Sequence, residues 1–446
     1  MKKRLISLIL ALLLCFLAVA CSPTSAPTNE DPPPNNSTPK EAYYFILYNS
    51  ECLTNEDESA LARLSGLYPT HDVFSLDVKN CESAEQVYDL LKEEAAKKTG
   101  RLDGIQIVGT ASAVPAFPID YKITLPTGYA TNYAYFLSDY FYTDLTKEST
   151  AFSYFNVADS LDAGMGILSP MHPVIRLPLG EGELSDYLDN YAAYLSEYGG
   201  EEPVLTAMVS PIFRYDNRYE EPASADDLAY FLSRAEEEWN ILEDARIYTN
   251  ALGEQISPAA SLGDIGAETL AAENAAGVRE FFFSGHGDAY ALYRTVFTAN
   301  GGQNITGYID LGSISEVLDD APYFMDLHTC AAAEGMNENL VREAMRTGCL
   351  GAFATTSIIS NNGIDSHASL ADLTASPNFF GFHYSYLAAR AEGASRTDAF
   401  FRAQSAFAMT LAKCAEGELD YSASYEFGYH NLLTYMNFGI FEPTAS

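Results

Sequence analysis

From residue 42 onward, short apolar runs alternate with amphipathic stretches along the chain. The first three runs have the length and composition of buried strands, and they lie at residues 43–48, 72–76 and 104–109. Between the last two runs, Ser83 and Gln86 form a capping-box signal, an apolar stripe follows at helical spacing, and Gly100 ends the helix. The order strand, helix, strand predicts a βαβ unit and hence an α/β fold with a largely parallel sheet.

The same alternation continues to the end of the chain. Further strands are predicted at residues 203–209, 245–249, 279–284, 322–327 and 349–355, with helices at 183–198, 226–242 and 338–347. We expect the strand at 203–209 to complete the first layer and Trp239 to be a core residue of its helix. A polar stretch at 214–221 interrupts the apolar periodicity, so we predict two α/β subdomains at 42–215 and 216–446.

The first residues are typical of an export signal rather than of a folded domain. Basic residues precede an apolar run over 5–20, which is too short to span a bilayer comfortably. Small residues before Cys21 resemble the bacterial lipobox, in which the cysteine is acylated. We therefore predict a lipoprotein signal over 1–21 and a protein anchored by lipid to the outer face of the bacterial membrane, with a plain cleaved signal as the alternative. Residues 22–41, rich in Pro, Ser, Thr and Asn, are predicted to be a flexible linker.

The charge balance excludes one class of partner. The 446 residues include 25 Lys and Arg against 61 Asp and Glu, a formal net charge of -36 that repels phosphate backbones and anionic lipid headgroups. We therefore predict no nucleic acid partner and membrane contact through the lipid anchor only. With 48% hydrophobic residues, the chain has enough apolar surface for about two folded units.

Five cysteines remain when Cys15 and Cys21 are set aside, namely Cys52, Cys81, Cys330, Cys349 and Cys414. An odd number in an exported protein indicates that at least one thiol stays free. Cys52 and Cys81 could pair. Cys349 and Cys414 lie in contexts typical of small buried side chains.

Two predicted strands end in residues that could perform chemistry. His286 follows the strand at 279–284 with a glycine on each side, and Cys330 follows the strand at 322–327. Because loops that leave the carboxyl ends of neighbouring parallel strands share one crevice, we expect His286 and Cys330 to meet there. A thiol beside an imidazole provides a nucleophile and a proton donor. Gly287 has a backbone N–H that is free to face a developing oxyanion.

Strands ending in His-Gly and in Cys resemble the caspase, legumain, clostripain and gingipain group of cysteine peptidases, and the gingipain family most of all. The likeness extends over residues 104–433 and includes Ile107-Val108-Gly109, Val114-Pro115-Ala116-Phe117, Ser138-Asp139-Tyr140-Phe141, Val174-Ile175-Arg176-Leu177-Pro178 and the small-residue strand at 348–356. The resemblance implies a caspase-like α/β fold, with two side-by-side subdomains whose mostly parallel sheets are flanked by helices.

The same resemblance implies roles for individual residues in the hydrolysis of protein or peptide substrates. Cys330 corresponds to the nucleophile and His286 to the general acid, with the N–H groups of Gly287 and Cys330 around the oxyanion. Asp288 and Asp326 lie near this pair in sequence, and together with the gingipain likeness they suggest binding of Arg or Lys before the scissile bond. Each carboxylate can equally cap a loop or pair locally.

Two other functions fit the same part of the chain. His286, Asp288, His328 and Cys330 form two pairs spaced by two residues, and their side chains are ligand types that zinc uses. A non-catalytic surface lipoprotein that binds peptide or glycan through some of its 30 Tyr and 25 Phe is the third hypothesis. No Asp-rich loop has the spacing of a calcium site, so we predict no metal and no cofactor, although structural calcium is compatible with an acidic exported protein.

Overall fold

The computed structural model describes residues 40–124, 130–149, 169–198, 205–209, 246–249, 267–297, 303–313, 322–357, 359, 379–416, 418 and 425–442. Residues 40–446 form one compact unit. The predicted boundary at 214–221, the predicted helix at 226–242 with Trp239, and the export signal lie outside the described residues. The division into subdomains at this boundary stays a prediction.

The described strands are β1 (Ala42–Tyr48), β2 (Asp72–Asp77), β3 (Arg101–Val108), β4 (Phe117–Thr124), β5 (Ala130–Ser138), β6 (Val174–Leu177), β7 (Leu205–Val209), β8 (Arg246–Thr249), β9 (Glu280–Ser284), β10 (His286–Gly287), β11 (Ala291–Phe297), β12 (Gln303–Asp310), β13 (Tyr323–His328), β14 (Cys349–Thr355) and β15 (Tyr435–Gly439). Ten of them form one central sheet in the order β2-β1-β3-β6-β15-β14-β13-β9-β7-β8. The others form a three-stranded sheet, β10-β11-β12, and a hairpin, β4-β5.

The central sheet consists of two halves that run in opposite directions. β1, β2, β3 and β6 are parallel to one another, as are β7, β8, β9, β13 and β14. β15 joins the halves, since it is parallel to β6 and antiparallel to β14. The carboxyl ends of β9, β13 and β14 therefore lie at the edge where β6 and β15 begin.

The strand predicted at 203–209 is present as β7, but the expectation that it completes the first layer is wrong. β7 pairs with β9, with Val209 opposite Ser284, and so belongs to the second half. A buried parallel strand is apolar whichever neighbours it has, so its composition does not reveal its place in the sheet. The remaining predicted strands, and the helices at 183–198 and 338–347, are confirmed with small shifts at their ends.

The described helices are α1 (Asn55–Gly66), α2 (Ala84–Ala96), α3 (Leu184–Tyr198), α4 (Ala267–Ala275), α5 (Leu340–Arg346), α6 (Phe379–Ala391), α7 (Arg396–Ala415) and α8 (Tyr425–Thr434). As predicted, Ser83 caps α2 by accepting from the Gln86 N–H at 3.4 Å. In α1, Thr54 and Asp57 form a full capping box. Asp57 also accepts from the Leu184 N–H at 3.2 Å, which ties the start of α3 to the start of α1.

Each face of the central sheet carries an apolar layer. Alternation along β1 sends Phe45 and Leu47 into one layer and Ile46 into the other. α2, α6, α7 and α8 cover the first layer, and α1, α3, α4 and α5 cover the second. Burial on both faces explains why the run at 43–48 is almost continuously apolar.

A buried ion pair fixes β6 against the chain that follows β5. Arg176 donates from Nε and Nη2 to the two carboxylate oxygens of Asp139, at 2.6 and 2.7 Å. Its Nη1 donates to the carbonyls of Gly109 and Val114, at 2.9 and 3.0 Å. Arg176 is fully buried, so the bidentate geometry and the carbonyl bonds compensate a charge that would otherwise be costly to bury.

Candidate active site

β9 and β13 bring the two predicted catalytic segments to the same edge of the sheet. The strands are parallel with Ser284 opposite His328, and the Gly285 N–H donates to the His328 carbonyl at 3.2 Å. His286 and Cys330 each follow this pair by two residues, and both are half-buried. Both residues therefore follow strands that end at the same edge of the sheet and lie about 4.8 Å apart.

The residue after Gly287 shapes a tight turn between β10 and β11. Asp288 accepts from the N–H groups of Tyr290 and Ala291 at 2.8 and 3.0 Å, and from the hydroxyl of Tyr293 at 2.6 Å. The carboxylate therefore caps the loop, which was one of the two alternatives for this side chain. Its role in substrate binding stays a prediction.

The turn also determines the direction of the Gly287 amide. Asp288 donates its N–H to the Ala291 carbonyl at 3.0 Å, so the neighbouring pair, Gly287 opposite Leu292, is a non-hydrogen-bonded pair of the ladder. The Gly287 N–H consequently faces away from β11. A Cβ at Gly287 would lie 2.4 Å from Thr329 Oγ1, so only glycine fits at this position.

The end of β14 holds the backbone on both sides of Cys330. The Thr355 hydroxyl accepts from the Ala331 N–H at 2.9 Å and donates to the Thr329 carbonyl at 2.6 Å. Ala331 has a φ of 50°, a left-handed conformation that is uncommon for a residue with a Cβ. This conformation turns the chain directly after Cys330 and is of the kind that often marks functional sites.

Sequence reasoning did not single out Thr355 or Thr329 as site residues. Thr355 lies in the small-residue strand that resembles the gingipain family, but nothing in the local sequence shows that its hydroxyl bridges the two residues that flank Cys330. Thr329 precedes the cysteine and is fully buried. Only the position of this residue, directly before the candidate nucleophile, could have indicated it.

The side chain of His328 excludes the zinc hypothesis. Its ring is buried, stacks against Phe282 and Tyr435, and lies 3.1 Å through Nδ1 from the Tyr435 hydroxyl. Among the described residues, which include all four residues of the zinc hypothesis, no group of three or more His, Cys, Asp and Glu side chains could hold a metal ion. The alternative of a zinc site built from His286, Asp288, His328 and Cys330 is therefore wrong, because the His328 ring turns into the core.

Asp326 is not available to a substrate. Its carboxylate is fully buried, accepts from the Arg396 guanidinium and the Tyr386 hydroxyl, and also accepts from the Phe353 N–H at 3.2 Å. The prediction that Asp326 contacts a cationic substrate side chain is wrong, because this anion is internally compensated. The alternative of a local pairing describes it correctly.

The structure is similar to that of gingipain R, an Arg-specific cysteine proteinase, with a TM-score of 0.55 and 11% identity over 92% of this chain and 79% of that chain. The complex of the pro- and mature domains of Porphyromonas gingivalis RgpB gives a TM-score of 0.56 and 11% identity over 89% and 78%. A third structure, of a protease, gives 0.51 and 10% over 91% and 78%. The chain has the gingipain fold.

Sequence comparison adds nothing to this likeness, since neither a family model nor a curated protein matches the chain. At 11% identity the similarity shows the fold alone. It confirms the predicted mixed α/β architecture, a large and mostly parallel central sheet flanked by helices, and the resemblance to gingipains at the level of that fold.

The predicted lipid-bearing residue, Cys21, lies outside the described residues. Within the part of the chain that the structure describes, no helix is both long enough and apolar enough to cross a membrane. The five cysteines at 52, 81, 330, 349 and 414 are all free thiols. The pairing considered for Cys52 and Cys81 is therefore not formed.

Burial favours the neutral forms of both candidate catalytic groups. Burial raises the pKa of the Cys330 thiol above its ordinary 9.0, and the Ile359 N–H, which donates to Sγ at 3.5 Å, acts in the opposite direction without reversing the shift. Burial lowers the pKa of the His286 imidazole below its ordinary 6.5. At pH 7 the site therefore holds a thiol and a neutral imidazole rather than an ion pair.

We expect the rate of Cys330 alkylation by iodoacetamide to keep rising above pH 9.0, because the thiolate that reacts forms only as the raised thiol pKa is passed. The measurement is peptide mapping after timed alkylation between about pH 5 and 10, with half-buried Cys414 in the same samples as the internal comparison. A rate that is already at its plateau near pH 6 would show a preformed thiolate–imidazolium pair and contradict the prediction.

Proposed function

We propose that the chain is a cysteine endopeptidase in which Cys330 is the nucleophile and His286 is the acid and base. The observation that carries the proposal is the register of β9 and β13, which places Ser284 opposite His328 and so directs both candidate residues to one edge. The gingipain fold supports the same reaction class, because gingipain R is a cysteine proteinase.

In this mechanism the imidazole of His286 takes the thiol proton as the sulfur of Cys330 attacks the carbonyl carbon of the peptide bond. The electron pair of the carbonyl π bond moves to oxygen and forms a tetrahedral oxyanion. When the carbon–nitrogen bond breaks, this pair returns, a thioester forms, and the amine leaves with the proton from His286. A water molecule, deprotonated by His286, then cleaves the thioester, and the sulfur recovers a proton.

The oxyanion is assigned to the N–H groups of Gly287 and Cys330. The Gly287 amide faces away from β11, the backbone of Gly287 lies against Thr329, and the bonds of Thr355 to Thr329 and Ala331 hold the cysteine segment in place. A fixed N–H donor of this kind stabilises the transition state by about 3 kcal/mol, because it needs no reorganisation when the charge develops. A neutral resting thiol is compatible with this scheme, since the proton moves within the pair during the attack.

We expect Cys330→Ala to reduce hydrolysis of a fluorogenic peptide by more than about 10³-fold, because the nucleophile is lost. The measurement combines steady-state kinetics with intact mass after treatment with an acyloxymethyl-ketone peptide probe, which should add one label to the parent chain and none to the variant. Cys414→Ala is the matched control and should keep both activity and labelling.

Two results would contradict the proposal. If the parent chain neither cleaves the fluorogenic peptide nor takes the label of the acyloxymethyl-ketone probe, the proposal of an enzyme fails and the hypothesis of a non-catalytic binding protein stands. If Cys330→Ala cleaves as well as the parent, another residue is the nucleophile.

We also propose that the site prefers Arg or Lys before the scissile bond. Asp288 is half-buried beside His286, and its oxygens have lone pairs beyond the three bonds they accept. Gingipain R, which shares the fold, is Arg-specific.

We expect Asp288→Asn to lower kcat/KM by about tenfold or more on substrates with Arg or Lys before the scissile bond, because the carboxylate that pairs with the cationic side chain is lost. The kcat/KM on substrates with a neutral residue there should change little. The measurement is a positional fluorogenic library. Asp310→Asn is the matched control, since Asp310 caps a turn after β12 by accepting from the Ser313 N–H at 2.8 Å. Cleavage by the parent chain only after apolar or acidic residues contradicts the preference.

Finally, we propose that Cys21 carries the lipid anchor, on the support of the small residues that precede it. We expect the chain produced in a bacterial host to enter the detergent phase on cloud-point separation, because acyl chains bury about 0.8 kcal/mol per methylene in an apolar phase. Cys21→Ala should stay in the aqueous phase, whereas Cys15→Ala, altered within the same signal, should behave like the parent. A parent chain that stays in the aqueous phase contradicts the anchor.

A further inference from the structure

Thr329 is a buried polar side chain directly before the proposed nucleophile. It is fully buried, and its Oγ1 forms no hydrogen bond with any described residue. Its main-chain carbonyl, in contrast, is paired with the Thr355 hydroxyl at 2.6 Å. A buried hydroxyl without a partner lowers the stability of a folded protein, so the choice of this residue here is not explained by stability.

The Thr329 side chain packs against the backbone of Gly287. A Cβ at Gly287 would lie 2.4 Å from Thr329 Oγ1 and 3.0 Å from its Cγ2. Both branches of the threonine therefore lie against the backbone of Gly287, whose N–H is assigned to the oxyanion.

This contact occurs where the ladder between β9 and β13 stops. The Gly285 N–H donates to the His328 carbonyl. If the parallel ladder continued, the next N–H that the β9 chain donates would be that of Gly287, and its acceptor would be the Cys330 carbonyl. Such a bond would occupy the amide that the oxyanion needs. The side chain of Thr329 lies beside Gly287 at this step, and the ladder does not continue past it.

We propose that Thr329 is a positioning residue, a wedge whose volume ends the ladder and keeps the Gly287 N–H free for the substrate oxyanion. The inference rests on the proposed cysteine peptidase function. The left-handed turn at Ala331 acts in the same sense, because it directs the chain after Cys330 away from the strand direction. On this account the shape of the side chain matters and its hydroxyl does not.

The decisive comparison is between Thr329→Val, which keeps the branched shape, and Thr329→Ala, which removes it. We expect Thr329→Val to keep kcat within about threefold of the parent and Thr329→Ala to lose about 100-fold in kcat with little change in KM, because displacement of an oxyanion donor acts on the transition state. Thermal unfolding midpoints check folding, and that of Thr329→Val should be no lower than the parent's, since an unpaired hydroxyl is removed.

A second variant tests the contact itself. Gly287→Ala should abolish activity because its Cβ meets the Thr329 side chain, and adding Thr329→Ala should recover at least about tenfold of that loss, since the clash is removed. Affinity for a peptide aldehyde, which forms a tetrahedral adduct on the sulfur, should follow kcat across the series. A residue with a purely structural role would change the unfolding midpoint without this pattern.

The outcomes distinguish a failure of the proposed role of Thr329 from a failure of the proposed peptidase function. Loss of kcat in Thr329→Val, with Thr329→Ser fully active, would show that the hydroxyl acts and would overturn the wedge. Equal activity of Thr329→Val, Thr329→Ala and the parent would overturn it as well. An inactive parent chain that takes no label from the peptide probe shows instead that the peptidase proposal has failed.

Discussion

The candidate site depends on the parallel register between β9 and β13. Five consecutive residue pairs, from Glu280 opposite Phe324 to Ser284 opposite His328, fix this register. A slip by one residue would reverse the faces of β13 and move Cys330 out of line with His286. Both candidate catalytic residues lie beyond the last pair, so the ladder sets the edge at which they follow the sheet, while the pairing with Tyr293 holds His286 and the bonds of Thr355 hold the backbone beside Cys330.

Buried charges help to hold that register. Glu280, at the start of β9, accepts from Arg390 of α6 at 2.6 Å, and Arg396 of α7 pairs with Asp326 in β13 and lies 3.7 Å from Glu280. One guanidinium thus spans the two strands that carry the site. A buried pair of this kind adds little net stability compared with apolar side chains, but an alternative register would leave its charges unpaired. Asp326 therefore contributes to the site through the sheet and not through the substrate.

The opposite direction of the two halves brings the amino ends of β6 and β15 to the carboxyl edge of the second half. The carboxyl ends of β13 and β14 meet the amino ends of β6 and β15, and the Thr356 hydroxyl donates to the carbonyl of Leu137, in β5, at 2.6 Å. The β4-β5 hairpin thus contacts the chain that follows β14. Burial withdraws water from the thiol of Cys330 and the imidazole of His286, which is why the pKa of each moves in the direction that favours its neutral form.

The amino-acid sequence by itself determined the α/β class, the strands with their apolar runs, and the placement of His286 and Cys330 at strand ends, because these depend on local composition and on the rule that parallel strands share a carboxyl edge. Tertiary structure alone decided the place of β7, the burial of His328 and Asp326, and the bonds of Thr355 on both sides of the cysteine. The physical reason is that strand order and side-chain burial depend on partners far away in the chain. Asp326 meets a guanidinium from α7, and His328 meets the hydroxyl of Tyr435 in β15, and neither partner has a local signal in the sequence.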